Sequence, residues 1–340
     1  MRRAREGDMV ETVESLIFDV KGFVHPPNRI VAYLRYVESP NGDRRKGGKT
    51  YIKVYSLSER EEVLKKKYPE YLCYDPIFGD YMQEVSNRRV LRIYKPQNKV
   101  SELLKKPRLD RVEGDAMGFI SLLHDLSNVD LKNLGISGSI LVDLYKEDSD
   151  IDVIVYGKKN CLSVHAALEE EMRRESGPIL KYDLEGLKKL YEFRSKDTWM
   201  PLKDFIRMER RKFMQGRFRG RDFFMRFIPD WNEVNEKYGD RIYVPSGYAK
   251  IKAKIADDSE SIFTPCRYLI EDVKILEGTK VPNLKEIASF RGRFCEQARK
   301  GEIVIAQGKV EKVIEKNGTE FFRLILGAKP SDFMLSKQAS

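Results

Sequence analysis

Apolar residues along this chain recur mainly at every second position, and helical spacing takes over only in a few stretches. SLIFDVKG (15–22), RIVAYLRYV (29–37) and TYIKVYS (50–56) carry the β-branched and aromatic residues of strands. His25-Pro26-Pro27-Asn28 separates the first two as a stiff turn, because neither proline has a backbone donor. His25 is expected there in a surface or capping role rather than in catalysis. Ser58, followed by Glu59, Glu61 and Glu62, predicts a helix start with acids at its positive end. VLRIYKP (90–96) reads as another strand stopped by Pro96, and Pro107 after two lysines marks a boundary.

From Asp110 onward Met117, Ile120, Leu122 and Leu123 give a helix its apolar face. DIDVIVYG (150–157) is a strand ended by Gly157, and SVHAALEEEMRRE (163–175) is a helix with Ser163 as candidate cap. LEGLKKLYEF (184–193) and PLKDFIRMERRKFM (201–214) predict two more helices, the second with Pro201 in its first turn. RDFFMRFIP (221–229) is an aromatic strand. GYAKIKAKIAD (247–257) alternates almost strictly, RYLIEDVKIL (267–276) and EIVIAQGKVEKVIEK (302–316) follow, and Asn317-Gly318 turns into TEFFRLILG (319–327). Many strands and little helix over about 100 residues predict a small β-barrel, compatible with an oligonucleotide-binding-like one. The expected fold class is α+β in three parts. A central mixed-sheet domain (107–237) is flanked by an N-terminal α/β accessory domain (1–106) and a C-terminal β-rich, barrel-like domain (238–340).

Composition narrows the function. Apolar residues make up 41% of the 340, enough for real cores and too many for a disordered chain. No apolar run approaches the ~18 residues of a membrane-spanning helix. The opening MRRAREGDMVETVE is basic but lacks the apolar stretch of a secretory leader, so a cytoplasmic protein is expected. Cys73, Cys161, Cys266 and Cys295 show no paired spacing, and the three histidines lie far apart, which argues against a disulfide framework or a Cys/His metal site. Richness in Lys, Arg and Glu with little Gln correlates with thermophilic proteins. The net charge of +10 favours partners that carry phosphate.

The chemistry concentrates in GSILVDLYKEDSDIDVIVYG (138–157). Asp150 and Asp152 lie two apart on a strand and so share a face, while Ile151, Val153 and Val155 point to the other. Carboxylates placed this way repel unless a cation lies between them. Oxygen ligands suit Mg2+ or Mn2+, above all when a substrate phosphate completes the shell. Gly138 permits close backbone approach to a ligand, and Ser139 adds a hydroxyl and a backbone donor. The following ILVDLY is expected as a short helix facing an anion. Between 207 and 221, Arg207, Arg210, Arg211, Lys212, Arg217, Arg219 and Arg221 interleave with Phe213 and Phe218. Such a segment suits a polyphosphate or nucleic-acid backbone, with Arg217, Arg219 and Arg221 in a loop free to reach it.

Gly138-Ser139, the offset of twelve residues, and Ser149-Asp150-Ile151-Asp152-Val153 resemble the signature of the DNA polymerase beta-type nucleotidyltransferase superfamily. The resemblance extends to archaeal proteins described only as predicted nucleotidyltransferases. It implies a small mixed sheet, Gly138 and Ser139 on the triphosphate, and Asp150 and Asp152 as catalytic ligands of Mg2+ (or Mn2+). It also implies a third carboxylate on a neighbouring strand, as metal ligand or general base. Asp222 is the first candidate, with Asp183 and Asp230 behind it. Many members carry a glycine five residues after the first one, where this chain has Asp143, so the conformation of that loop is open. The expected activity is transfer of a nucleoside monophosphate from an NTP to a hydroxyl, with release of pyrophosphate. RNA, a protein hydroxyl and a small molecule are all compatible acceptors, and the basic charge favours RNA. The alternative is a nucleic-acid-binding protein that keeps the fold without turnover.

Overall fold

Alternation in the first hundred residues builds an antiparallel sheet in the computed structural model, which describes residues 3–174, 176–198 and 200–337. Its strands are β1 (Met9–Thr12), β2 (Ile17–Val20), β3 (Arg29–Glu38), β4 (Arg44–Lys46), β5 (Lys49–Lys53), β6 (Leu72–Asp75), β7 (Asp80–Ser86) and β8 (Val90–Tyr94). They run in the order β4-β5-β3-β2-β1-β8, with β7 pairing β3 and β6. The helix after β5, α1 (Leu57–Lys67), starts two residues earlier than the acids suggested. Ser56 is its cap, and Glu59 closes a capping box on it. Pro96 both ends β8 and opens α2 (Pro96–Lys105), since its missing donor costs nothing in a first turn. Helix α3 (Arg111–Ser127) is capped by Asp110 in a box with Glu113.

One irregularity in this sheet bears on function. Ile17 pairs with Tyr36 but Phe18 pairs with Leu34, so Arg35 is an extra residue on β3. Such a bulge re-aims side chains. Phe18, Val20, Ala32, Leu34 and Val37 fill the core on one face. Ile17, Tyr36 and Tyr51 turn to the other face and pack against Leu141, Val142 and Leu144.

The central segment forms β9 (Leu134–Ile136), α4 (Gly138–Leu141), β10 (Ile151–Tyr156), α5 (Lys158–Arg173) and β11 (Ile179–Leu180). Helices α6 (Leu184–Arg194) and α7 (Leu202–Glu209) follow, then β12 (Gln215–Phe218) and β13 (Arg221–Ile228). The sheet order is β11-β12-β13-β10-β9, with β10 and β13 parallel and the other pairs antiparallel. On one face Phe119 of α3 contacts Phe218 and Phe223 at 5.0 and 4.7 Å, and Ile151, Val153, Val155, Met225 and Phe227 are fully buried. Asp152, Ile154 and Tyr156, with Phe224, Arg226 and Ile228 in register beside them, line the other face. The helix expected over 201–214 stops at Glu209, because Gln215–Phe218 pairs as a hairpin with β13. Glu175, the expected last residue of the helix 163–175, lies outside the described residues.

The chain divides into two compact units. Described residues 3–74, 81–181 and 213–235 form the first, and 75–80, 182–212 and 236–337 the second. The expected segments 1–106 and 107–237 thus lie in one unit, apart from 75–80, 182–212 and 236–237. The second unit contains α6, α7 and β14 (Arg241–Asp257), β15 (Cys266–Gly278), β16 (Leu284–Ser289), β17 (Ile303–Glu315), β18 (Glu320–Ile325) and β19 (Phe333–Lys337). In β14 Ala249, Ile251, Ala253 and Ile255 are buried, while Lys250, Lys252 and Lys254 alternate with them. Strand β14 pairs with both β15 and β17, β16 pairs with β15 and, in parallel, with β18, and β18 pairs with β17. Gly318, at φ +84°, sits in the turn between β17 and β18. No described helix is long and apolar enough to cross a membrane.

Candidate nucleotide and metal site

The two halves of the motif meet. Gly138 has φ +63°, and a Cβ built on it would lie 1.9 Å from Oδ2 of Asp152. Only glycine lets the chain lie against that carboxylate and adopt that φ. The N–H of Ser137 donates to the carbonyl of Asp152 at 2.8 Å, and its hydroxyl donates to the carbonyl of Gly7 at 2.9 Å. The N–H of Leu144 donates to the carbonyl of Ser139 at 2.9 Å and closes the loop. Asp143 adopts φ +56°, so the aspartate takes up the left-handed conformation that a glycine would supply there. Its carboxylate is paired with the buried Lys99 at 2.6 Å.

Asp150 is exposed just ahead of β10, and Asp152 is half-buried within it. Burial, and then the neighbouring Asp150, push the Asp152 carboxyl up to about 6. The Oγ of Ser139 is buried with no hydrogen-bond partner, as is the Oη of Tyr36, which feels the charges of both aspartates. A carboxyl made harder to ionise by burial and a neighbouring carboxylate, with an unsatisfied hydroxyl in the adjoining turn, fits a divalent ion. Magnesium commonly takes one or two carboxylates and fills its shell with phosphate oxygens and water. Among the described residues no group of three or more His, Cys, Asp or Glu side chains is arranged to hold a metal.

Asp222 opens β13. It directly precedes Phe223, which pairs with Ile151 at the start of β10. Its carboxylate is directed at Arg217, 3.2 Å away, and is half-exposed. Asp183 and Asp230 are caps. Asp183 accepts from the N–H of Gly186 at 2.7 Å in the second unit, and Asp230 accepts from Trp231 and pairs with Arg5 at 2.8 Å. The expected free arginine loop is corrected. Arg217 and Arg221 lie on paired strands, and the turn is only Arg219-Gly220, with φ +50° and +82°. Arg221 is almost buried. It pairs with Asp115 at 3.1 Å and donates to the carbonyls of Glu147 and Ser149 at 2.6 and 2.9 Å. Arg221 therefore holds the loop that leads into Asp150 and is not available to a nucleotide. Arg219 lies over the Phe218 ring at 5.0 Å. Arg207, Arg210, Arg211 and Lys212 belong to the second unit, where Arg211 pairs with Glu302 at 2.7 Å and Lys212 with Glu209 at 2.8 Å.

Several residues of this face escaped sequence reasoning. Arg226 reaches Asp19 and Glu6, each at 3.3 Å, and Lys21 reaches the same two carboxylates at 2.8 and 3.0 Å. Burial opposes ionisation of Asp19, but Lys21 and Arg226 overcome it and hold the carboxyl well below its usual range. The signal was present as single charges inside apolar strands, Asp19 in IFDV and Arg226 in FFMRFI. A lone buried charge needs a partner, but spacing alone does not name it.

No protein-family model matches this chain, and no solved structure matches it. Over 333 residues it is 31% identical to the uncharacterized protein MJ1086 of Methanocaldococcus jannaschii, covering 96% of each chain.

Proposed function

We propose that this chain, which belongs to the same family as that Methanocaldococcus protein, is a nucleotidyltransferase. It would move a nucleoside monophosphate from an NTP to a hydroxyl acceptor. The observation that carries the reading is the seat of Gly138 on Asp152, which no other residue fits and which puts Ser139 beside the carboxylate pair. The reaction forms a bond between the acceptor oxygen and the α-phosphorus and breaks the bond to the bridging oxygen, so pyrophosphate leaves with its electron pair. Bound Mg2+ (or Mn2+) would activate the attacking oxygen and offset charge on the leaving group. Asp150 and Asp152 would hold that ion, and Ser139 would donate its unpaired hydroxyl to a phosphate oxygen. Asp222 would serve as third carboxylate and take the acceptor hydroxyl's proton once Arg217 swings to a ligand.

RNA is the acceptor this reading favours. The pairings of β14 to β18 follow the order β14-β15-β16-β18-β17 and return to β14, with β16 and β18 parallel. We read that arrangement as an oligonucleotide-binding-like barrel. All four cysteines are free, as suits a reducing cytoplasm. The ion pair between Asp222 and Arg217 favours a second reading, in which the fold binds nucleic acid without turnover. Incubation with each labelled NTP, Mg2+ and total RNA or protein distinguishes the two. Label transferred to an acceptor supports the enzyme, and RNA binding without any transfer supports the second reading.

A further inference from the structure

The wall opposite the carboxylate pair comes from the N-terminal sheet. Tyr36 and Lys53 are register partners on β3 and β5, so their side chains share a face. Tyr36 packs with Leu141, Val142 and Leu144, the residues that follow the Gly138-Ser139 turn. Arg44 donates to the carbonyl of Leu144, and Lys146 pairs with Asp43 at 3.1 Å. The sheet is thus fastened to the loop that carries the motif.

This wall has more positive charge than it has partners. Arg35, at the bulge, and Lys53 lie at 5.3 and 5.1 Å from the Tyr55 ring. Neither is ion-paired with any described carboxylate, although both feel the charge of Asp152. Burial, then Arg35, hold the Lys53 ammonium down to about 8, which is the mark of a cation without a close counter-charge. Two buried hydroxyls, Tyr36 Oη and Ser139 Oγ, have no hydrogen-bond partner. Buried polar groups are rarely left unsatisfied, and an orphan calls for a ligand or a water. Unpaired cations and unsatisfied hydroxyls around one carboxylate pair are the complement of a chain of phosphate oxygens.

We propose that Lys53 and Arg35, with the hydroxyl of Tyr36, bind the polyphosphate of the nucleotide opposite the Gly138-Ser139 turn, so that the N-terminal sheet is half of the site. This rests on the reading of Asp150 and Asp152 as the metal pair of a nucleotidyltransferase. The N-terminal strands would then act on the donor nucleotide, and the arginine-rich hairpin would be left to other work.

The test uses the full chain and inorganic tripolyphosphate with Mg2+, followed by calorimetry, so that it needs no acceptor and no turnover. Wild type should bind tripolyphosphate, and Lys53→Met should weaken binding at least tenfold. Tyr36→Phe, which removes only the orphan oxygen, should weaken it several-fold and leave the fold intact. Lys53→Met should also melt at or above the wild-type temperature, because it removes a half-buried charge that no described carboxylate pairs. Unchanged tripolyphosphate affinity in both variants overturns the proposal, even if NTP transfer proceeds. Lack of tripolyphosphate binding by wild type overturns it as well. A large fall in melting temperature for Lys53→Met with unchanged affinity makes Lys53 structural and also overturns it. Tripolyphosphate binding lost in both variants, with no transfer from any NTP by wild type, supports this wall and counts against the enzyme reading alone.

Discussion

Arg221 and Asp115 stand 106 positions apart in the chain, and Nη2 of the arginine lies 3.1 Å from Oδ2 of the aspartate, joining the start of β13 to α3. The same guanidinium carries the carbonyls of Glu147 and Ser149, so one side chain sets the backbone immediately before Asp150. Arg221→Ala would leave Asp115 without its partner in a largely buried place. The expected cost is about 3 kcal/mol, read from urea unfolding. A variant as stable as wild type would return Arg221 to the pool of free cations.

Gly138→Ala tests the contact on which the site depends. The methyl group would collide with the Asp152 carboxylate, and alanine at φ +63° is itself strained. We expect NTP-dependent transfer to fall by about 100-fold or more, the scale of an ångström-level misplacement of reacting groups. Single-turnover transfer of label checks this, with circular dichroism confirming the fold.

Asp152→Asn should separate stability from activity. In the folded protein the carboxyl is raised to about 6, so its ionised form costs stability near neutral pH, and that cost is relieved as the pH falls below 6. Asparagine removes the charge at every pH. The variant should therefore be at least as stable as wild type at pH 7, while transfer drops by about 100- to 1000-fold. Asp150→Asn should lose activity to a similar degree. Activity within a few-fold of wild type in both would sink the metal assignment.

His25 gives a pH dependence far from that pair. Its Nδ1 accepts from the N–H of Val31 at 3.2 Å, and Nε2 faces the carbonyl of Ala4 at 3.0 Å. One ring nitrogen must therefore be bare, and the ring is neutral. Burial depresses it to about 4 from an ordinary 6.5. A depressed group contributes stability that is present above 6.5 and is lost as the pH falls toward 4, by up to about 3 kcal/mol. Urea midpoints at pH 7, 5 and 4 should fall in wild type, and the fall should be shallower in His25→Gln. Equal slopes would remove His25 from the account.

Arg217 and Arg219 remain the cations of the hairpin that can reach a nucleic-acid backbone. If RNA is the acceptor, replacing both with alanine should reduce the slope of log affinity against log salt by up to about 1.4 units, at ~0.7 per lost contact on a single strand. An unchanged slope would locate the RNA on other residues, and strands β14 to β18 would be tested next.

Much of the site was legible because its parts are local. Strand period predicts that Asp150 and Asp152 share a face, and the glycine at 138 announced the close backbone approach seen against Asp152. The same holds for β10, β13, β14 and β17, whose alternation is strong enough to show the buried face directly. Local chemistry could also mislead. The run from Arg217 to Arg221 reads as a glycine-containing loop, because arginines pattern poorly, yet pairing with β13 makes all but two of those residues strand.

What the chain determined by itself was each strand's inward face, the turns at Gly138 and Gly318, and the adjacency of two carboxylates, all of which follow from periods of two and from the steric freedom of glycine. Tertiary structure alone decided which distant charges meet. Asp19 and Glu6 with Arg226, Tyr36 and Lys53 opposite Asp152, and Asp115 with Arg221 are pairs far apart in sequence, and each exists because two sheets or a helix and a strand bury their polar residues against one another. Burial makes such partners obligatory, since an isolated charge in low dielectric is costly, but it is the packing of one element on another that selects them.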